Sequence, residues 1–212
     1  MRAISFAVGV ALVASSSALA RAQDATKQNT MVLPVLVLDT GIGASEPNLA
    51  TTTFHYGGYS VLGSQIGFQN PLSLVYTSSL HIFPFSLREI GFIVTTETIS
   101  RSSNGTYSTP TGTIGDDASS KTTYYSVQAG PEAQMRFDAF TFRVGGVLGW
   151  RDVSFDHYDA LDWRAGVRGQ VEYTFLGGRA GSSGLSIGLF ANVDALPGFG
   201  WSSGATVTFA YF

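Results

Sequence analysis

Apolar and polar residues alternate with a period of two along most of the chain from residue 72 onward. That period marks strands with one apolar and one polar face. The segment 162–176 shows it most plainly. Trp163, Ala165, Val167, Val171, Tyr173 and Phe175 share one face, and Arg164, Arg168, Gln170 and Glu172 share the other. The same alternation groups Leu74, Tyr76, Leu80 and Ile82 in 72–83, then Ile90, Phe92 and Val94 in 87–101. It groups Tyr125, Val127, Ala129, Ala133 and Met135 in 122–137, and Phe140, Phe142, Val144, Leu148 and Trp150 in 139–155. Leu185, Ile187, Leu189, Ala191 and Val193 oppose Ser186, Asn192 and Asp194. In the last stretch, 201–212, Ala205, Val207, Phe209 and Tyr211 line one face, and Phe212 falls one residue out of phase. Turns are expected at 69–71, 84–86, 137–138 and 177–183, and loops at 102–121, 156–161 and 195–200. No segment carries a convincing helical period.

These strands are long. Ordinary globular strands run about 5–6 residues, whereas a stave crossing a membrane at a tilt needs about 9–11 in the apolar zone plus extensions. A long strand at the end of the sequence is expected to close a cylinder by pairing with the first. Counting back from it gives eight staves from about residue 53. The predicted fold is all-β, an antiparallel up-and-down transmembrane β-barrel. A ten-strand count is the alternative. It recruits 31–43, an apolar run whose Pro34 suits only a strand start or an edge, and 49–56, with Gly57-Gly58 as a hairpin turn. Eight is favoured because 49–56 is short and weakly patterned. The expected organisation is a signal peptide at 1–22, an N-terminal segment at 23–50 (a lead-in or an extra strand pair) and the barrel at 51–212. Both termini then lie at one end with the shorter turns, and the longer loops lie at the other.

Composition sharpens this. Of 212 residues only 13% are charged, about half the usual share of a soluble domain. There is no cysteine, which excludes a disulfide scaffold and a lipidated cysteine. Arg2, the apolar run 4–13 and the small-residue stretch 15–22 read as a secretory signal peptide. No other run approaches the ~18 apolar residues of a membrane helix, so a membrane-embedded mature chain must be a barrel. A net charge of −3 with scattered arginines gives no support to nucleic-acid binding.

Charges this sparse cannot cover a soluble outer surface, so the polar faces are expected to line the lumen. They hold opposite charges on neighbouring strands, and charges in a low-dielectric site should pair. The expected lumen network is Glu89, Glu132, Arg136, Arg143, Arg164, Arg168 and Glu172, with Glu97 and Arg151 on the same faces. Eight strands leave an interior that side chains fill, so no open pore is expected. Trp150, Trp163 and Trp201 fall at one end of their strands, and Tyr173, Phe175 and Tyr211 fall at the other. Two such bands are expected to form interfacial aromatic girdles.

Candidate chemistry is thin. Ser79 and His81 share a face and could act as nucleophile and base, an arrangement similar to that of outer-membrane lipid deacylases, but a histidine satisfied in the wall or lumen is the favoured reading. Asp156, His157, Asp159 and Asp162 sit in one rim loop and Asp116 and Asp117 in another, a thin resemblance to omptin-like proteases. No EF-hand, zinc, haem, P-loop or dinucleotide pattern is present, so no metal and no cofactor is expected.

Ser202, Gly204, Val207 and Phe209 resemble the sorting signal of outer-membrane barrels. With the aromatic bands and strand pattern, about residues 50–212 resemble small bacterial outer-membrane β-barrel proteins of the OmpA-domain or OmpX type. The resemblance implies a non-enzymatic protein of a Gram-negative outer membrane, acting in envelope structure or surface interaction through its outer loops. Its implied partners are outer-membrane lipid and, through the closing strand, the barrel-assembly machinery, with the protein a monomer. The alternatives are an outer-membrane hydrolase, either protease or lipid deacylase, and a soluble periplasmic barrel that binds a small apolar ligand.

Overall fold

Each stretch of period-two alternation becomes a strand, and the longest five form one side of a closed cylinder. The computed structural model describes residues 32–66, 72–103, 107–109, 112–114, 120–155, 158–196 and 198–212. The strands are β1 (Leu36–Glu46), β2 (Thr53–Tyr56), β3 (Tyr59–Leu62), β4 (Ser73–Ile82), β5 (Ile90–Ser103), β6 (Tyr107–Thr109), β7 (Gly112–Ile114), β8 (Ser120–Phe137), β9 (Phe140–Phe155), β10 (Tyr158–Leu176), β11 (Ser183–Leu196) and β12 (Gly200–Tyr211). Eight of them pair in the order β1-β4-β5-β8-β9-β10-β11-β12, and β12 returns to β1. The closing seam is antiparallel and runs from Leu36 opposite Tyr211 to Glu46 opposite Trp201. Closure leaves each wall strand with a neighbour on both sides. The end where Leu36 meets Tyr211 is called the base here, and the opposite end the rim.

The eight-strand count holds, but the barrel begins at Leu36 rather than near residue 51. The apolar run that the favoured count left unused is the first stave, and Pro34 precedes it. Its inward positions are Val37, Asp39, Gly41, Gly43 and Ser45: one is apolar and two have no side chain, so its period is muted. The stretch expected to be the first stave instead forms the hairpin β2–β3 inside the first rim connection. Its turn is Gly57-Gly58, with φ of 51° and 88°, the left-handed pair that a two-residue hairpin turn requires. At the rim, β10 overhangs β11, whose pairing stops at Leu196 opposite Ala165. The strand β2 covers that overhang through His55 opposite Asp159 and so shields an exposed edge. The loop expected at 156–161 shrinks accordingly, because β10 already starts at Tyr158.

The base is closed by the two ends of the described chain. Residues 32–35 cross it, held by Val32 N–H to Gly178 O at 3.0 Å and Val35 N–H to Tyr211 O at 2.8 Å. Three side chains grip successive carbonyls of this strap: Arg136 on Val32, Arg88 on Leu33 and Gln134 on Pro34. Phe212 breaks phase because it turns inward. Its ring is buried beside Val37 and Ala210 and lies 5.2 Å beneath the Arg136 guanidinium. A side chain at Gly184 would meet that ring at 2.6 Å, so glycine is required there.

Candidate functional site

The inward faces form a stack of layers between rim and base. At the rim the layer is apolar. Phe54, Leu49 and Val61 from the first rim connection pack on Val75, Ile99, Tyr124, Val153, Tyr158 and Phe190. Phe54 is the residue that the hairpin drives into the mouth, with no exposed surface. Thr52, beside it, accepts a hydrogen bond from Arg151 Nη2 at 2.5 Å, and the same nitrogen reaches Asp162 at 3.2 Å. Thr52→Val, which keeps the shape and removes the oxygen, is expected to cost about 1.5 kcal/mol, the scale of a hydrogen bond to a charged group. A urea titration of the folded barrel would read this as a lowered midpoint.

Beneath this cap lies the first charged cluster. Arg164 donates to Glu97 and to Asp194, each at 2.5 Å, and to Ser126 at 2.7 Å. Glu97 also accepts from Ser202 at 2.6 Å and Asn192 at 3.1 Å, and Asp194 accepts from Gln128 at 3.2 Å. One guanidinium is thus shared by two carboxylates, and neutral donors fill the remaining acceptor sites. A buried ion pair is tolerable only in such a setting.

The second cluster lies nearer the base. His81, with no exposed surface, sits between Asp39 on one ring nitrogen and Glu132 on the other, each at 2.6 Å. The ring donates to both only as the imidazolium. Arg143 pairs with Glu172 at 2.7 Å, and Glu172 accepts from Gln170 and Thr208, each at 2.6 Å. Gln170 also donates to Asp39 at 3.1 Å. Arg168 stands on β10 between the clusters, 3.7 Å from Asp39.

Of the seven residues expected in the lumen, the structure brings Glu132, Arg143, Arg164, Arg168 and Glu172 inside and buries them. Arg136 lies half-buried at the base, on the carbonyls of Val32 and Asp138 and over Phe212. Glu89 falls outside the network. It precedes β5 in the base turn, half-buried, where its backbone carbonyl accepts from Gln134 N–H. The expected set also lacked Asp39, His81 and Asp194. Asp39 lay in the segment the favoured count did not use. Asp194 and His81 lay on inward faces whose other members are uncharged, so a charge network was not indicated there.

The outward positions carry the aromatic bands. Trp150 and Trp163 are opposite each other in register and exposed toward the rim. Trp201, half-buried, donates from Nε1 to Glu46 at 3.1 Å. Near the base, Tyr173 packs on Phe140 with ring centroids 5.3 Å apart, and Phe175 and Tyr211 are exposed. Between the bands six of the wall strands expose large apolar side chains, such as Ile42, Tyr76, Phe92, Leu148, Leu189 and Val207, and on β8 and β10 the outward positions there are apolar and half-exposed, such as Val127, Val167 and Val171.

No nucleophile–base pair forms at Ser79 and His81. The Ser79 hydroxyl donates to Thr95 at 3.0 Å, and both nitrogens of His81 are held by carboxylates. Asp116, Asp117, Asp156 and His157 lie outside the described residues. Asp159 accepts from Ser154 at 2.9 Å, and Asp162 pairs with Arg151.

A closed eight-stranded antiparallel meander, apolar outside and filled with side chains inside, defines the fold of the small outer-membrane β-barrel proteins. Solved structures of that class resemble this chain. Neisserial surface protein A (NspA) matches at TM-score 0.50 and 12% identity, over 84% of this chain and 96% of that one. Ail, the attachment invasion locus protein of Yersinia pestis, solved in complex with the heparin analogue sucrose octasulfate, matches at TM-score 0.44 and 11% identity, over 84% of this chain and 99% of that one. At such identities the likeness bears on the fold alone. No family model matches the chain, and neither does any curated protein.

Proposed function

We propose that this chain is a non-enzymatic protein of the outer membrane of a Gram-negative bacterium, placed there after removal of residues 1–22. It acts in envelope structure or surface interaction through the connections at its rim. The observation that carries this reading is the exposed apolar belt, which circles the whole barrel between two aromatic bands and far exceeds what a soluble monomer leaves bare. Lipid is the medium that fits it. The strap and turns of the base then face the periplasm and the rim faces outside. The barrel stands as a monomer, its closing strand serving recognition by the barrel-assembly machinery. NspA, which shares the fold, is by its name a surface protein.

The interior is the closed, salt-bridged core of this barrel. Its apolar cap, ion-paired middle and strapped base leave it without a through passage. In planar lipid bilayers the purified protein is expected to give no stepwise conductance, and a reproducible large conductance would overturn the closed interior. Replacement of residues 104–119 by a short Gly-Ser turn tests the surface role. It should leave the folded barrel intact and abolish adhesion of cells bearing the protein to an extracellular-matrix-coated surface. Adhesion at the level of the unaltered protein would remove that loop from the proposed role.

A further inference from the structure

The hairpin β2–β3 joins the wall through one pair of the sheet, His55 on β2 opposite Asp159 on β10. Residues opposite each other on antiparallel strands share a face, with Cβ atoms about 4.5–5.5 Å apart. Both side chains are exposed at the rim, and each is steadied by a hydroxyl of its own. Ser60 Oγ, across the hairpin, lies 2.9 Å from His55 Nδ1. Ser154 Oγ, across the β9–β10 pairing, donates to Asp159 Oδ1 at 2.9 Å. These bonds occupy one atom of each group. His55 Nε2 and Asp159 Oδ2 have no protein partner among the described residues. With Nδ1–H donating to Ser60, the imidazole is neutral and its lone pair lies on Nε2.

A neutral imidazole nitrogen and a carboxylate oxygen on one face, each group oriented by a second hydrogen bond, suit a transition-metal ion. Zinc bonds such atoms at about 2.0–2.2 Å, so one ion can span side chains at this separation. Calcium and magnesium take oxygen ligands instead. The other histidine among the described residues, His81, is buried with both nitrogens held by carboxylates, so it has no lone pair to offer a metal. We propose that His55 and Asp159 bind a zinc ion at the rim, with Ser60 and Ser154 orienting them and water completing the coordination. The ion staples the hairpin that carries Phe54 to the wall strand β10, at the pair where the sheet joins them. No spacing along the chain announces this site, because its two ligands meet only through that pair. The rim stands clear of the apolar belt, so the site stands or falls independently of the lipid-embedded barrel.

The test titrates the full chain in lipid nanodiscs with zinc chloride and follows the heat of binding and the ¹⁵N signals of the His55 ring. One saturable site is expected, with the Nε2 signal shifted. His55→Gln should abolish it, and Ser60→Ala should weaken it about tenfold, the low end for loss of an orienting partner. His157→Gln should leave it unchanged. Because opening of the hairpin breaks the site, zinc at 100 times its Kd should slow amide exchange of His55 and Val61 by about 100-fold. No saturable binding to the unaltered protein, which needs no variant to fold, would overturn the inference. So would binding that survives His55→Gln or is lost with His157→Gln. Zinc bound at His55 with unchanged amide exchange would overturn the staple, and displacement of zinc by an equal concentration of calcium would overturn the choice of metal.

Discussion

Arg164→Met is expected to lower the stability of the folded barrel by about 3–5 kcal/mol, the scale on which removal of one partner breaks a buried ion pair. Arg164 is buried and serves two carboxylates, Glu97 and Asp194, which have almost no exposed surface of their own. Methionine fills much of the same volume, so the loss is electrostatic and not a cavity effect. Ser202, Asn192 and Gln128 remain as neutral donors, but hydrogen bonds alone do not neutralise two charges in a low-dielectric core. The loss would be read as a fall in the urea midpoint of the folded protein in micelles. Adding Glu97→Gln is expected to recover part of it, because residues in one network are not additive. A change within about 0.5 kcal/mol, the size of an ordinary surface substitution, would mean that solvent already screens these charges.

Leu189→Arg is expected to cost about 2–4 kcal/mol when the protein folds into lipid, the cost of a cation on the lipid face at mid-depth. Leu189 points outward near the middle of β11 and is 62% exposed. Leu196→Arg, on the same strand at the rim, is the matched control. Near an interface the cost falls to about 0–1 kcal/mol. On a water-soluble barrel both positions would be ordinary surface sites, each within about 0.5 kcal/mol. Folding titrations in lipid vesicles would separate the two cases, since only a membrane makes the cost depend on depth.

What the sequence made legible follows from how local each signal is. Strands β8 to β12 were plain because each repeats its alternation over many residues and is bounded by turn residues such as Asp138, with φ of 54°, or Gly177-Gly178. The first stave was not, because Val37 puts an apolar side chain on its inward face and Gly41 and Gly43 put none there. The Gly57-Gly58 turn announced a hairpin, yet nothing local says that β2 turns across the mouth to reach β10. That placement depends on β10 outgrowing β11, a property of the closed sheet. Phe212 breaks phase for a similar reason, since the base needs an inward ring beside Val37 and Ala210. The polar faces marked which residues turn inward. Partners within the core depend on the stagger of the closed barrel, so that Arg164 meets Glu97 from 67 positions away, and no spacing in the chain encodes that meeting.

Electrophoretic mobility of the washed membrane fraction in SDS, compared before and after boiling, tests the closed, lipid-embedded barrel most directly. A membrane-embedded barrel predicts a compact, faster-moving form before boiling, a shift on boiling, and membrane association that survives urea washing. A single mobility before and after boiling, with the protein released into the soluble fraction by urea, would contradict it.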